Sequence, residues 1–557
     1  MKTIITGVVV LLMLTTFRIA GQPLEDNFSF LKENMTIVKG KRTEFDQFFS
    51  QDANNRFLLT FSVMEVNKGD QVTMSVNAMD LNPNRVLFEP QRDLAQIVAQ
   101  VKGGKKLVRV EKDGQLGNYD NKIVFYATGV EEARKLADVL KEIVKIANEN
   151  DAIPPVKYSK QSLLENMVQT IGNVVINDDT YEQQFTFDSK NNNIVSYEIN
   201  DVSKGETFQY VVNGADFNMH KIDFETKGNQ VFVSFETKGS SKLIAYYKNG
   251  EQGNYVSGFD IKVASIEEAR SLVKLAKGFV EKAEQEETVD FSGYSMVQCI
   301  AYLEKNIGQV VINQDAYEQE LIIDTKETTF MSYKVEDVSK GETYNYSLNL
   351  ADLNRGKTEY DTKGNAVFIY IYTEGGHKLI KTMQGEEQSN YTNSFEVRMP
   401  DIETARTVSE VLTRLKILAK EIMDNAISFS SVVGADSYIL SAIGDLVINT
   451  NTFKQKIKKN NEECIFTYSI NDISKDVLHD YEFNFRDIDL HKIHFDTKGT
   501  EVLVNMEVRG KNKLIKSYKN GDVDKYIYRF DIKTEDIEQA RKLVAALKKK
   551  TENCTEQ

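Results

Sequence analysis

What this 557-residue chain lacks narrows its reading before any motif does. Tryptophan is absent and proline occurs only 6 times, alongside 41% hydrophobic and 27% charged residues. That balance excludes collagen-like and disordered classes and leaves ordinary globular protein. Three cysteines cannot build a disulfide framework. Cys299 falls in an apolar helical pattern and Cys464 in an apolar strand pattern, so both read as small buried residues, while Cys554 falls in a polar tail. None has a histidine close in sequence to activate it, which argues against a catalytic thiol. Of the 5 histidines only His491 and His494 stand close together, and in an extended segment their spacing sends them to opposite faces, a poor arrangement for a shared metal.

Positive charge is also in deficit. A net charge of −14 argues against nucleic acid or anionic lipid as the main partner, since both require a surplus of Lys and Arg. The run Lys548, Lys549 and Lys550 is expected to end the last helix, where cations complement the carbonyl end of the helix dipole. Catalytic signatures are missing as well: no H-E-x-x-H, G-x-S-x-G, P-loop or G-x-G-x-x-G pattern occurs. The carboxylates that recur, Asp201 with Glu206 and Asp337 with Glu342, stand in a Ser-Lys-Gly turn where Asp ordinarily accepts backbone hydrogen bonds. A general acid instead needs a buried carboxyl of raised pKa. The chain is therefore expected not to be an enzyme and to use no metal or cofactor.

One apolar run is present, from Ile4 to Phe17, behind Lys2 and ahead of the small residues Ala20 and Gly21. It reads as a secretory signal peptide over residues 1–21. It is too short to cross a bilayer, which takes about 20 apolar residues. The mature chain is expected to be secreted or periplasmic, with no transmembrane segment.

Repetition is the strongest positive signal. Lys106, Lys242, Lys378 and Lys513, each followed by Leu, stand 136, 136 and 135 positions apart. An acidic-x-Ala-Arg tetrapeptide keeps the same period at 131–134, 267–270, 403–406 and 538–541. The stretch from Asp201 to Thr207 matches Asp337 to Thr343 residue for residue. Within each copy, alternating apolar positions such as Val231, Val233 and Phe235 predict half-buried strands. Asp113-Gly114, Asn249-Gly250 and Asn520-Gly521 predict type I′ hairpins. The stripe Ile266, Ala269, Leu272, Val273 and Ala276, recurring as Ile537, Ala540, Leu543, Val544 and Leu547, predicts an amphipathic closing helix. A leading helix is predicted before the strands in the three later copies but not in the first. Four modules follow, at 22–152 (divergent), 153–286, 287–426 and 427–557. Their linkers are 151–157, with Pro154 and Pro155, then 284–290 and 425–431. Such short junctions suggest a string of domains.

About seven short strands closed by a C-terminal helix resemble the pleckstrin-homology-like barrel, in which a helix plugs one open end. The resemblance covers each module from its central Lys-Gly hairpin to its final helix. It implies an α+β fold of four tandem modules, each an antiparallel β-meander or barrel closed by an amphipathic helix. The basic loop that reads phosphoinositide headgroups in that family has no counterpart in this chain. The short leader followed by Gln22 and Lys/Asn/Tyr-rich repeats looks like secreted proteins of the Bacteroidota.

The recurring Asn-Tyr pairs supply the one candidate contact set. Tyr119, Tyr255, Tyr391 and, after Lys525, Tyr526 are read either as aromatic tips for a peptide or glycan or as core residues inherited with the repeat. The favoured function is a non-enzymatic binding or scaffolding protein that engages protein or glycan partners through its repeated modules. The alternative is a carrier of apolar, lipid-like molecules inside the β/α modules. A hydrolase with dispersed carboxylates is the third reading.

Overall fold

The computed structural model describes residues 22–150, 158–286, 290–324, 329–354, 356 and 358–556. The proposed signal peptide and the diproline linker lie outside these residues. Four repeated units appear, each a mixed assembly of antiparallel sheets and helices.

The second module shows the plan. Ser159 caps a leading helix, Lys160–Thr170, its side chain accepting from the Ser162 amide. Four antiparallel strands follow: Val174–Ile176, Asp179–Phe187, Ile194–Asp201 and Glu206–Asn213. The chain then turns away through Gly214–Asp216, a turn fixed by the Asn213 side chain accepting from the Ala215 amide. It builds the hairpin Asp223–Lys227 and Gln230–Glu236, and returns with Ala245–Lys248 and Glu251–Gln252 to complete a six-stranded sheet. Strand Gly258–Val263 joins the hairpin as a separate three-stranded sheet. The closing helix Ile266–Glu286 then buries Ile266, Ala269, Leu272, Ala276 and Phe279. Each Leu or Phe so buried contributes about 1.5–3 kcal/mol.

This corrects the barrel expectation. Among the described residues each module has nine strands in two open sheets, and neither sheet closes on itself. The excursion after the fourth strand divides the meander, because its hairpin pairs with the strand before the helix and not with the first sheet. The pleckstrin-homology likeness loses its barrel. The expected hairpin chemistry holds: Asn249 and Gly250 have φ of 52° and 83°, both positive as a type I′ turn requires.

A glutamine joins the two sheets in every module. Gln319, on strand Asp315–Ile323, donates through Nε2 to the carbonyls of Gly308 and Arg398 (2.8 and 3.0 Å). Its Oε1 accepts from the Arg398 amide (2.9 Å) and the Tyr333 hydroxyl (2.5 Å). The carboxamide thus pairs with both polar groups of Arg398 as a neighbouring peptide would. Gln183 with Tyr197 and Gln455 with Tyr468 repeat the arrangement. In the first module Gln47 bonds both backbone groups of Tyr126, but Phe61 stands where the tyrosine would be.

Three further expectations change. The first module does have a leading helix, Gln22–Asn34, with Leu24, Phe28 and Leu31 buried at helical spacing. It directly follows the apolar leader, which hides its periodicity in the sequence. Cys554 is not in a polar tail: the last helix runs from Ile537 to Glu556, and its final turn places Cys554 in a disulfide with Cys464, their Cα atoms 5.9 Å apart. Lys550 does not end the helix in solvent. It is fully buried, its Nζ donating to Asp436 Oδ2 at 2.9 Å on the leading helix Val432–Ala442. Cys299 is a buried free thiol, as read, and burial pushes its pKa up.

The modules are paired. Residues 1–287 form one compact unit and 288–557 another, each holding two modules. No helix among the described residues is long and apolar enough to cross a membrane.

Candidate functional site: the clefts between paired modules

In the first unit, the end of strand Asp70–Asn77 and the turn Ala78–Asp80 of the first module meet the second module's hairpin and the start of its closing helix. Asn77 Nδ2 donates to Glu267 Oε1 (3.1 Å), and the Arg270 guanidinium bonds both Asp80 oxygens (2.8 Å each) while covering the Phe224 ring. The Tyr119 amide donates to the Gly228 carbonyl (2.9 Å), and Thr226 Oγ1 donates to the Lys106 carbonyl (2.5 Å). Gly228 sits at φ 64°, a left-handed conformation that a side chain would strain.

The second unit repeats this junction residue for residue. Asn349 donates to Glu538 (3.2 Å), Arg541 to Asp352 (2.5 Å), the Tyr391 amide to the Gly499 carbonyl (3.0 Å), and Thr497 to the Lys378 carbonyl (2.7 Å). Arg541 covers Phe495 as Arg270 covers Phe224. The Asp352 and Arg541 side chains are largely buried, and burial pushes the Asp352 and Glu538 carboxyls above their ordinary range against the pull of Arg541.

Beside each junction lies a cleft, of about 300 Å³ in the first unit and 280 Å³ in the second. Leu58, Val76, Leu107 and Ile266 make the apolar wall of one; Phe330, Leu348, Leu379 and Ile537 make that of the other. Arg109 and Glu267 in the first correspond to Lys381 and Glu538 in the second. Tyr119 lines one cleft and Tyr391 the other. Burial raises the Tyr119 phenol, with help from the Glu111 and Glu268 carboxylates against Arg109. Burial beside Asp536 raises that of Tyr391 to about 12. Both therefore stay protonated as donors at neutral pH, and neither hydroxyl makes a hydrogen bond among the described residues.

The four tyrosines singled out in the sequence divide accordingly. Tyr119, Tyr255 and Tyr391 are each only 4% exposed, so they are not protruding tips; Tyr526 is 53% exposed. Tyr391, though carried by the third module, belongs to the apolar core of the fourth. It is a wedge between modules.

The turn carboxylates sit as their sequence suggested. Asp337 accepts from Ser339 Oγ (2.6 Å) and pairs with Lys340 Nζ (2.8 Å), which hold its carboxyl down to about 2. Asp201 is lowered by Lys204 and Ser203, and Asp472 by Lys475 and Ser474. That is opposite to the shift a general acid needs. His491 lies in the turn Leu490–Lys492 and His494 opens the strand His494–Lys498. Among the described residues no group of three or more His, Cys, Asp or Glu is placed to hold a metal.

The junction residues Asn77, Asp80, Glu267 and Arg270 went unread as a site. The signal was there: Asn-x-x-Asp recurs at 77–80, 213–216, 349–352 and 484–487, in step with the acidic-x-Ala-Arg marker. No protein-family model matches this chain, and no curated protein matches it.

Proposed function

We propose that this chain is a secreted or periplasmic, non-enzymatic binding or scaffolding protein, and that its paired modules offer the junction clefts to protein or glycan partners. The observation that carries this reading is the recurrence, 271 or 272 positions apart, of one cleft with an equivalent apolar wall, the same carboxylate and the same unpartnered tyrosine hydroxyl. Clefts of this size lie at the small end of ligand sites. They suit one apolar side chain or one sugar ring whose acceptor atom takes the tyrosine proton, and a pair of them multiplies affinity through effective concentration. The Cys464–Cys554 bond fits an oxidising compartment.

The carrier reading has less support. The space between sheets that a lipid would occupy holds stacked rings: Tyr197, Tyr210, Phe235 and Phe259 in the second module, and Tyr333, Tyr346 and Phe395 in the third. Native mass spectrometry of the mature chain from its own host's secreted fraction separates the two. A co-purifying protein or glycan that Leu107→Asp with Leu379→Asp abolishes supports the clefts. A small apolar adduct that survives both substitutions overturns them in favour of the carrier.

A further inference from the structure

We propose that the exposed incoming face of the first module and the exposed outgoing face of the fourth bind each other between copies of this chain, head to tail, in the manner of the junction that joins modules within each unit. In both junctions one module presents an outgoing face of Asn, Asp, Leu and Tyr, and the next presents an incoming face of Ile, Glu and Arg. The two faces differ, so the contact is heterologous, and each unit keeps one incoming and one outgoing face outside its own junction.

In the second unit the outgoing face outside the junction is on the fourth module. Asn484 and Asp487 occupy the positions of Asn77 and Asp80, and Leu514 and Tyr526 those of Leu107 and Tyr119. Leu514 is 50% exposed where Leu107 is 6%, and Tyr526 is the one exposed member of its series. Asp487 is only partly covered and makes no ion pair among the described residues. In the first unit the incoming face outside the junction is on the first module. Val130 is 40% exposed where Ile266 and Ile537 are each 8%. Arg134, which covers Phe88 as Arg270 covers Phe224, has only Glu131 of its own helix as ion partner, in an exposed pair at 2.7 Å. Apolar anchors thus stand exposed on both faces, with a carboxylate on one and a guanidinium on the other. The occupant that supplies the missing half of each is a second copy of the chain.

The end faces are not perfect copies. Pro90 stands where Thr226 donates a hydrogen bond, and Lys525 replaces the asparagine found at Asn118. Contact between chains is therefore weaker than the tethered junctions and depends on concentration.

Sedimentation velocity on the mature full-length chain, across concentration and salt, tests this. Species at whole-number multiples of the chain mass are expected, favoured by concentration and weakened by salt. Asp487→Arg and Arg134→Asp each place like charges across the contact and raise the concentration needed for assembly by at least about tenfold. Arg134 is exposed and Asp487 only partly covered, and neither belongs to an apolar core, so thermal unfolding stays nearly unchanged. Mixing the two variants restores complementary charge and restores assembly. A monomer at every concentration, assembly indifferent to both substitutions, or a mixture that stays apart would each overturn the proposal.

Discussion

The glutamine that ties the two sheets can be weighed one hydrogen bond at a time. Replacing Gln319 by Leu keeps nearly the same volume but strips partners from the Gly308 carbonyl, both backbone groups of Arg398 and the Tyr333 hydroxyl. Tyr333 is fully buried and Gln319 nearly so, so little water reaches the freed groups. A buried polar group left unpaired costs about 1–3 kcal/mol, and four such groups with partial relaxation set the loss at about 3–5 kcal/mol. Tyr333→Phe removes one hydroxyl, and Gln319 Oε1 keeps the Arg398 amide, so its cost is about 1 kcal/mol. The first module carries this second change naturally, with Phe61 in the tyrosine's place, so the tyrosine bond is dispensable where the backbone bonds are not. Hydrogen exchange in urea, read on peptides of the strands Asp315–Ile323 and Ser394–Met399, reports the opening energy of this module in the intact chain. If Gln319→Leu costs no more than Tyr333→Phe, the backbone pairing is not what holds the sheets together.

Other consequences are open to measurement. Cys464→Ser with Cys554→Ser opens a link spanning 90 residues and is expected to lower stability by about 2–4 kcal/mol, read as loss of the last module's cooperative transition; an unchanged melt refutes it. Lys416, whose Nζ donates to the Gly356 carbonyl, is held down to about 8 by burial. The folded state therefore binds fewer protons than the unfolded chain above that pH, and stability rises as pH climbs from about 8 towards the ordinary lysine range. Lys416→Met is expected to add about 1 kcal/mol at pH 7 and nothing in strong alkali, a difference that thermal melts at the two pH values expose. For Asp337, lowered to about 2 by Lys340 and Ser339, the sign reverses. Its contribution is present above the ordinary carboxylate range and disappears as pH falls through about 2, so Asp337→Asn and the parent chain should differ at neutral pH and converge in acid.

The parts that were legible in the sequence share a physical basis. Strands and closing helices announce themselves because one face is wet and the other dry, which writes a period of two or 3.6 into the chain. The type I′ turns were legible because a positive φ at two successive positions admits few residue pairs, and Asn249-Gly250 is one of them. What the sequence hid are pairings between distant positions. Nothing local to Gln319 tells that its carboxamide will pair with Arg398, nor to Cys554 that a helix longer than its apolar stripe will carry it to Cys464. The barrel expectation failed for the same reason: strand count and order are local, but which strands share a ladder depends on where the chain leaves the sheet after Asn213.

The repeated tyrosine carries the deeper lesson, because its recurrence was plain and its role was not. A residue kept in every copy of a tandem repeat can serve the module's own core, a partner, or the next module. The three roles look alike in one chain until the copies are compared for burial. Tyr526 becomes exposed and gains Lys525 as its neighbour, and the adjoining strand lengthens to Asp522–Ile527 where the second and third modules pair only two residues. A core residue would have stayed buried in the fourth copy. A tip for outside partners would have been exposed in all four. Tyr119 and Tyr391 are buried against the next module of their own unit while Tyr526 is exposed, the pattern of a residue that fills the space between modules, so what the final tyrosine meets bears directly on how this chain is used.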